Sequence, residues 1–114
     1  MSEVAGAAVV QGHIARFNAG VNTGDFSSML AHFTDDAVLA FAGLPVGPFE
    51  GREAVARAYR DQPPDDTVRV LDVREDGDEV VARYAWDAAP HKPAGEMRFT
   101  LRGTEIAKLL VTFG

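Results

Sequence analysis

The chain has 114 residues, a formal net charge of -6, a pI near 4.9 and no cysteine. That length makes one domain, 1–114, able to build a single core without metal or disulfide staples. The absence of cysteine excludes a disulfide framework and a thiolate site. The acidic balance argues against nucleic acid or an anionic membrane surface as partner, and no apolar run approaches membrane-spanning length. The opening MSEVAGAAVV has no basic lead and runs straight into a helical pattern, so it reads as mature protein rather than a signal peptide. A cytoplasmic setting is the expectation.

Val9, His13, Phe17 and Val21 recur at steps of four, with Val10, Ile14 and Gly20 beside them, which predicts an amphipathic helix of four or five turns. Asn22-Thr23-Gly24-Asp25 stops it, and Asp25 is placed to cap a second, short helix. Phe26, Met29, Leu30 and Phe33 form the buried stripe of that helix, which Thr34-Asp35-Asp36 ends. Ala37 to Ala42 reads as a strand, and the Pro- and Gly-bearing stretch from Gly43 to Gly51 as a loop. A third helix starts at Gly51 or Arg52, carries Val55, Ala58 and Tyr59 inward, and is broken at Gln62-Pro63-Pro64.

From Thr67 the period changes to two. Strands are predicted at 67–75, 79–89, 96–102 and 105–113, with tight connections at Asp76-Gly77-Asp78 and Gly103-Thr104. Val80, Ala82, Tyr84 and Trp86 share one face, and Met97, Phe99 and Leu101 oppose Glu96, Arg98 and Thr100. In the last strand Ala107, Leu109, Val111 and Phe113 oppose Ile106, Lys108, Leu110 and Thr112. The fold class is α+β, a curved, largely antiparallel sheet wrapped around three N-terminal helices. Three helices cover only one face of such a sheet, so a homodimer through the other face is expected.

The segments Ala15-Arg16-Phe17, Gly24-Asp25, Phe33-Thr34-Asp35-Asp36-Ala37, Gly51-Arg52-Glu53 and Tyr59 resemble the nuclear-transport-factor-2-like superfamily, in its SnoaL-like (polyketide cyclase) and ketosteroid-isomerase-like branches. The resemblance covers about the first 60 residues well and the strand meander by pattern only. It implies a cone-shaped, cystatin-like fold with a pocket at the wide end. It specifies the reaction weakly, because this scaffold hosts isomerases, cyclases, dehydratases, hydrolases and non-enzymes. The isomerase branch implies an aspartate base with a tyrosine and a protonated acid as oxyanion donors. Carried onto this chain, the tyrosine position falls on Phe17, the base on Phe41 and the buried acid near Glu96, while Tyr59 keeps a supporting tyrosine. Two of three chemical groups are therefore replaced by phenylalanine.

The candidate catalytic residues are Glu96 and Tyr59. Glu96 in an apolar pocket would have a raised pKa and act as acid or shifted base, although strand parity turns it away from Met97 and Phe99. Tyr59 would donate a hydrogen bond to a ligand oxygen, or simply pack its ring. The candidate pocket wall is Phe17, Val21, Phe33, Phe41, Tyr59, Trp86, Met97 and Phe99; the same rings are also able to fill a core this small. His13, on the apolar side of the first helix, reads as a satisfied, partly buried histidine, and His32 as a charge near a helix end. Asp25, Asp35, Asp36, Arg52, Glu53, Arg83 and Asp87 read as structural. No metal-ligand spacing and no cofactor motif occur. The function expected is binding of a small hydrophobic molecule, with a cofactor-free isomerase-, cyclase- or hydrolase-type enzyme acting on a steroid- or polyketide-like molecule as the alternative. A buried ionisable group inside the pocket is what would separate the two.

Overall fold

The computed structural model describes residues 2–113, with side chains described from residue 6 onward. Three helices, α1 (Ser2–Thr23), α2 (Ser27–Leu30) and α3 (Arg52–Asp61), pack on one face of a six-stranded sheet. Its strands are β1 (Phe33–Phe41), β2 (Phe49–Glu50), β3 (Val68–Asp76), β4 (Glu79–Trp86), β5 (Gly95–Arg102) and β6 (Glu105–Val111), in the spatial order β2-β1-β6-β5-β4-β3. All neighbours are antiparallel except β1 and β6, which run parallel. The sheet is therefore mixed, and the α+β reading holds.

Helix α1 turns Val10, His13, Ile14, Phe17 and Gly20 inward, the face that the four-residue spacing marks. Its position over the sheet is held by a polar hook as well as by packing. The Asn18 side-chain amide donates from Nδ2 to the Val68 carbonyl at 2.8 Å and accepts the Val68 N–H on Oδ1 at 2.9 Å. Val68 is the first residue of β3, so the asparagine satisfies a strand end that would otherwise carry two unpaired backbone groups.

The second helix is shorter than its apolar stripe predicts. It covers a single turn, and Phe33 opens β1 instead of closing α2. Pairing with β6 decides this: the Ile106 N–H donates to the His32 carbonyl at 2.8 Å, and Phe33 lies opposite Ile106. Asp25 acts as expected, accepting the Ser27 N–H at 2.9 Å, and those bonds hold its carboxyl below the ordinary carboxylate range. Asp35 and Asp36 fall at the register shift between Phe33 and Val38, inside the strand. Arg52 pairs with Asp35 at 2.7 Å and donates to the Phe33 carbonyl at 3.2 Å, tying the start of α3 to β1. The loop after β1 holds the two-residue strand β2, which pairs with Val38 and Leu39.

The meander follows its alternation. Val80, Ala82, Tyr84, Met97, Phe99, Leu109 and Val111 face the helices and are buried. Ile106 is buried with them, against the simple parity of β6, because the register shifts between Thr100 and Leu101. The opposite face is charged over β3–β5. Glu96 meets Arg74 at 3.2 Å and Arg98 at 3.5 Å, Arg98 meets Glu79 at 3.0 Å and Asp76 at 3.1 Å, and Arg83 meets Asp72 at 2.7 Å. Val81, directly opposite Arg74 and Arg98, is fully buried on this face within a single chain, beside side chains whose long stems suit apolar cover.

Gly95 opens β5 where backbone passes close by: a Cβ there would lie 2.0 Å from the Thr112 carbonyl oxygen. The atoms it would meet are backbone of Thr112 and Phe113, which leaves nothing flexible to yield. Gly95→Ala is expected to lower the unfolding free energy by about 1–3 kcal/mol, the range for overpacking. Urea denaturation would register this as a lower midpoint at unchanged slope.

Candidate functional site

The curved sheet and the helices do not close on each other completely. Between α1, α3 and the concave face lies a hollow of about 640 Å³. Phe17 of α1, Leu39 and Phe41 of β1, Ala58 and Tyr59 of α3, Tyr84 and Trp86 of β4, Met97 of β5, and Leu109 and Val111 of β6 form its wall. Leu44, Val46 and Phe49 from the loop after β1, with Phe113, form a rim on the open side, and Arg57, Asp61, Gln62 and Pro64 border it from α3 and its end. Leu44, Val46 and Phe113 are 47, 38 and 44 % exposed, and they account for three of the four exposed large hydrophobic residues among those described. An apolar mouth of this kind suits an apolar visitor.

The rings of the wall pack in three groups. Phe17 packs edge-on to Tyr59 with centroids 6.4 Å apart, and Tyr59 lies 5.1 Å from Phe26. Trp86 stands perpendicular to Tyr84 at 5.9 Å, and Phe41 stacks on Phe113 at 6.4 Å. The Tyr84 hydroxyl donates to the Thr112 carbonyl at 3.3 Å, so its polar end is occupied by the protein. Burial pushes the Tyr59 hydroxyl well above the usual tyrosine pKa, which keeps it protonated.

His13 is the ionisable group in this hollow that the helical stripe marked only as a satisfied core histidine. It lines the cavity yet is only 2 % exposed. Phe33 and Phe99 pack edge-on against its ring at 5.7 and 5.4 Å. Its Nδ1 is buried with no hydrogen-bond partner. Loss of water around the ring, aided by the charges of Arg16 and His32, lowers its pKa from 6.5 to about 3. The imidazole is neutral at physiological pH, a polar but uncharged group on an apolar floor. The four-residue spacing of Val9, His13, Phe17 and Val21 puts His13 beside the core; nothing in the spacing says that the core stops short of it.

Of the sequence-predicted wall residues, Phe17, Phe41, Tyr59, Trp86 and Met97 line the hollow. Phe33 and Phe99 do not: both are fully buried beneath His13, part of the packed core that supports the floor. Val21 packs partly buried against the core instead of lining the hollow. Glu96 is turned to the other side of the sheet, paired with Arg74 and Arg98; as strand parity indicates, its carboxylate cannot serve a ligand in the hollow. Of the two candidate catalytic residues, only Tyr59 borders the cavity. Leu39, Leu109 and Val111 complete the wall from β1 and β6, an alternation legible in sequence once those strands are known to be neighbours. Among the described residues, no cluster of three or more His, Asp or Glu side chains is arranged to hold a metal ion.

The buried histidine makes a pH-linked prediction. The unfolded chain takes up this proton near pH 6.5 and the folded chain only near 3, so the folded state is penalised progressively as the pH falls through that interval. Stability linked to His13 is intact above about pH 6.5 and declines below it, by up to roughly 4–5 kcal/mol at the acid end. His13→Leu is expected to flatten the Tm profile between pH 6.5 and 4.5. That window lies above the range in which the lowered carboxyls of Asp25, Asp36 and Asp87 titrate. An unchanged slope in the variant would show that His13 does not set it.

The family model of the SnoaL-like domain matches residues 14–109. Among solved structures, the chain is similar to a SnoaL-like protein of Burkholderia thailandensis, with a TM-score of 0.69 and 20% identity over 94% of this chain and 95% of that one. A cystatin-fold protein of Novosphingobium aromaticivorans superposes with a TM-score of 0.67 at 20% identity, covering 91% and 94% of the two chains. A nuclear-transport-factor-2-like protein of Anabaena variabilis gives 0.66 at 19% identity, covering 96% and 90%. At these identities the likeness is one of fold. No curated protein matches the chain.

Proposed function

The chain belongs to the SnoaL-like domain family, and on that premise we propose that it binds a small, mostly apolar molecule in the hollow between α1, α3 and the sheet. The supporting observation is the hollow itself: about 640 Å³, walled by aliphatic and aromatic side chains, with an apolar rim. That volume lies in the range of small-molecule sites. The isomerase-type base and tyrosine positions are occupied by Phe41 and Phe17, both on the wall. A single chain suffices to form the pocket, and no cofactor is invoked.

A cofactor-free isomerase-, cyclase- or hydrolase-type activity on a steroid- or polyketide-like molecule is the second reading, favoured by the presence of His13 in the hollow. Its depressed pKa makes it a poor proton acceptor at neutral pH, and the protonated Tyr59 hydroxyl is a donor. Both groups are able to polarise a bound oxygen. Removing a proton needs a stronger base, and the carboxylate among the residues lining the hollow, Asp61, sits exposed at its rim. Binding is therefore the reading that the chemistry of the site favours.

Trp86 is the one tryptophan of the chain and stands in the wall, so its indole N–H resonance reports occupancy. Titration of 15N-labelled protein with 2-isopropenylnaphthalene is expected to shift this resonance saturably, with one molecule bound per chain. Ala58→Trp, which fills the hollow from α3, should weaken binding by at least about tenfold, while Glu96→Gln on the far face leaves it unchanged. A Trp86 signal that stays put up to the solubility limit of the probe rules the pocket out as a binding site.

Association of two copies through the outer sheet face belongs to the same proposal. It is supported by Ala40 and Leu110, paired neighbours on the face that also carries Arg98. Sedimentation equilibrium should give twice the chain mass, and Leu110→Glu should return it to one; a single-chain mass for the unaltered protein would exclude this association.

A further inference from the structure

We infer that His13 is the polar recognition point of the hollow, its Nε2–H donating a hydrogen bond to an uncharged oxygen acceptor, so that the ligand is an apolar molecule bearing a carbonyl group such as a ketone, ester or lactone. The inference rests on the binding reading above and deepens it.

The starting observation is an unpartnered polar group. His13 is 2 % exposed, its Nδ1 has no partner, and its ring is held edge-on between Phe33 and Phe99. Its neighbours on the inward face of α1 are Val10, Ile14 and Phe17. An aliphatic residue would fit that stripe without leaving a nitrogen unsatisfied, so the core alone gives no reason for an imidazole. A buried N–H without an acceptor is rarer and costlier than a lone pair without a donor. The proton therefore belongs on Nε2, and the sealed Nδ1 is the bare nitrogen. Because Nδ1 is sealed, the cavity-lining part of the ring is the remainder of the imidazole, whose other nitrogen is Nε2. Neutral His13 then offers the hollow one N–H donor.

The surroundings define what accepts it. The floor and wall around His13 are Phe17, Leu39, Tyr84, Met97 and Leu109, none of them charged. Arg57 and Asp61 lie on α3 at the exposed border, and Arg16 and His32, which oppose protonation of His13, do not line the hollow. A carboxylate brought to the floor would lose its water without gaining a cation, and an ammonium would find no anion. A hydrocarbon would leave the donor unpaired. An uncharged carbonyl oxygen satisfies the N–H and keeps the rest of the molecule against apolar walls, with the Tyr59 hydroxyl available in the same cavity as a second donor.

The test uses two probes of matched shape, 2-acetylnaphthalene and 2-isopropenylnaphthalene, which differ by a carbonyl oxygen in place of a methylene. The unaltered protein is expected to bind the ketone roughly tenfold more tightly than the alkene, as one neutral hydrogen bond predicts. In His13→Leu the ratio should fall to near one, with alkene affinity preserved. In 15N-histidine-labelled protein without probe, Nε2 of His13 should resonate as a protonated nitrogen and Nδ1 as an unprotonated one, and the ketone, but not the alkene, should move Nε2. Equal affinities in the unaltered protein, a preference surviving in His13→Leu, or a proton found on Nδ1 would each overturn the assignment while leaving the binding site standing. Failure of both probes to bind would remove the site and the assignment together. Should His13→Leu not fold, the tautomer and the affinity ratio of the unaltered protein still decide.

Discussion

Everything in this molecule depends on the bend of one sheet. Flat strands would bring α1 down onto β3–β6 and leave no space between the layers. Instead the ladder is interrupted between Phe33 and Val38, between Val70 and Asp72, and between Thr100 and Leu101, and such irregularities increase local bending and twist. The parallel pairing of β1 with β6 then sets the chain's first strand beside its last, with only the two-residue β2 on its free side. Short strand, long loop and third helix therefore end up across the hollow from the meander. The pocket is what remains when a helix lies across a surface that curves away from it.

Charge is distributed over that surface by the same pleat. Alternate residues of β3, β4 and β5 put Arg74, Arg83, Glu96 and Arg98 outside and Tyr84, Met97 and Phe99 inside. The outer pairs are solvent-exposed to varying degrees, so each adds little on its own; their greater effect is to give the far face a fixed polar pattern over an already buried Val81. Inside, by contrast, the polar groups are few and uncharged. An imidazole stripped of its proton by burial and a phenol that retains its proton are the chemical features of the hollow, and in both the largest cause is the low polarity of the surroundings.

Much of this was legible in the sequence because it rests on periodicity. The four-residue rhythm from Val9 to Val21 and the two-residue rhythm after Thr67 identified the layers, and parity alone turned Glu96 outward. The family resemblance at Gly24-Asp25 and Gly51-Arg52-Glu53 located the breaks between helices, and Asp25 and Arg52 hold the positions those motifs imply. What could not be read was whatever depends on pairing between distant segments. Phe33 belongs to a strand because Ile106 lies beside it, and no local feature of the Phe26–Phe33 stripe announces that. Phe33, Phe99 and Val21 share the composition of pocket residues but sit in packed matter, since distance from a void is a property of the assembled layers. His13 shows the converse: its helical face was correct, and its chemical situation was hidden until the neighbouring strands were in place.

The hook from Asn18 to Val68 adds a mechanical dimension to the hollow. Packing forces act at short range and favour collapse, so a helix retained only by apolar contact would tend to settle into any vacancy beneath it. Two directional bonds to a strand terminus work differently: they fix a height as well as a position. Asn18 thus behaves as a strut, keeping α1 propped at a set elevation above the sheet.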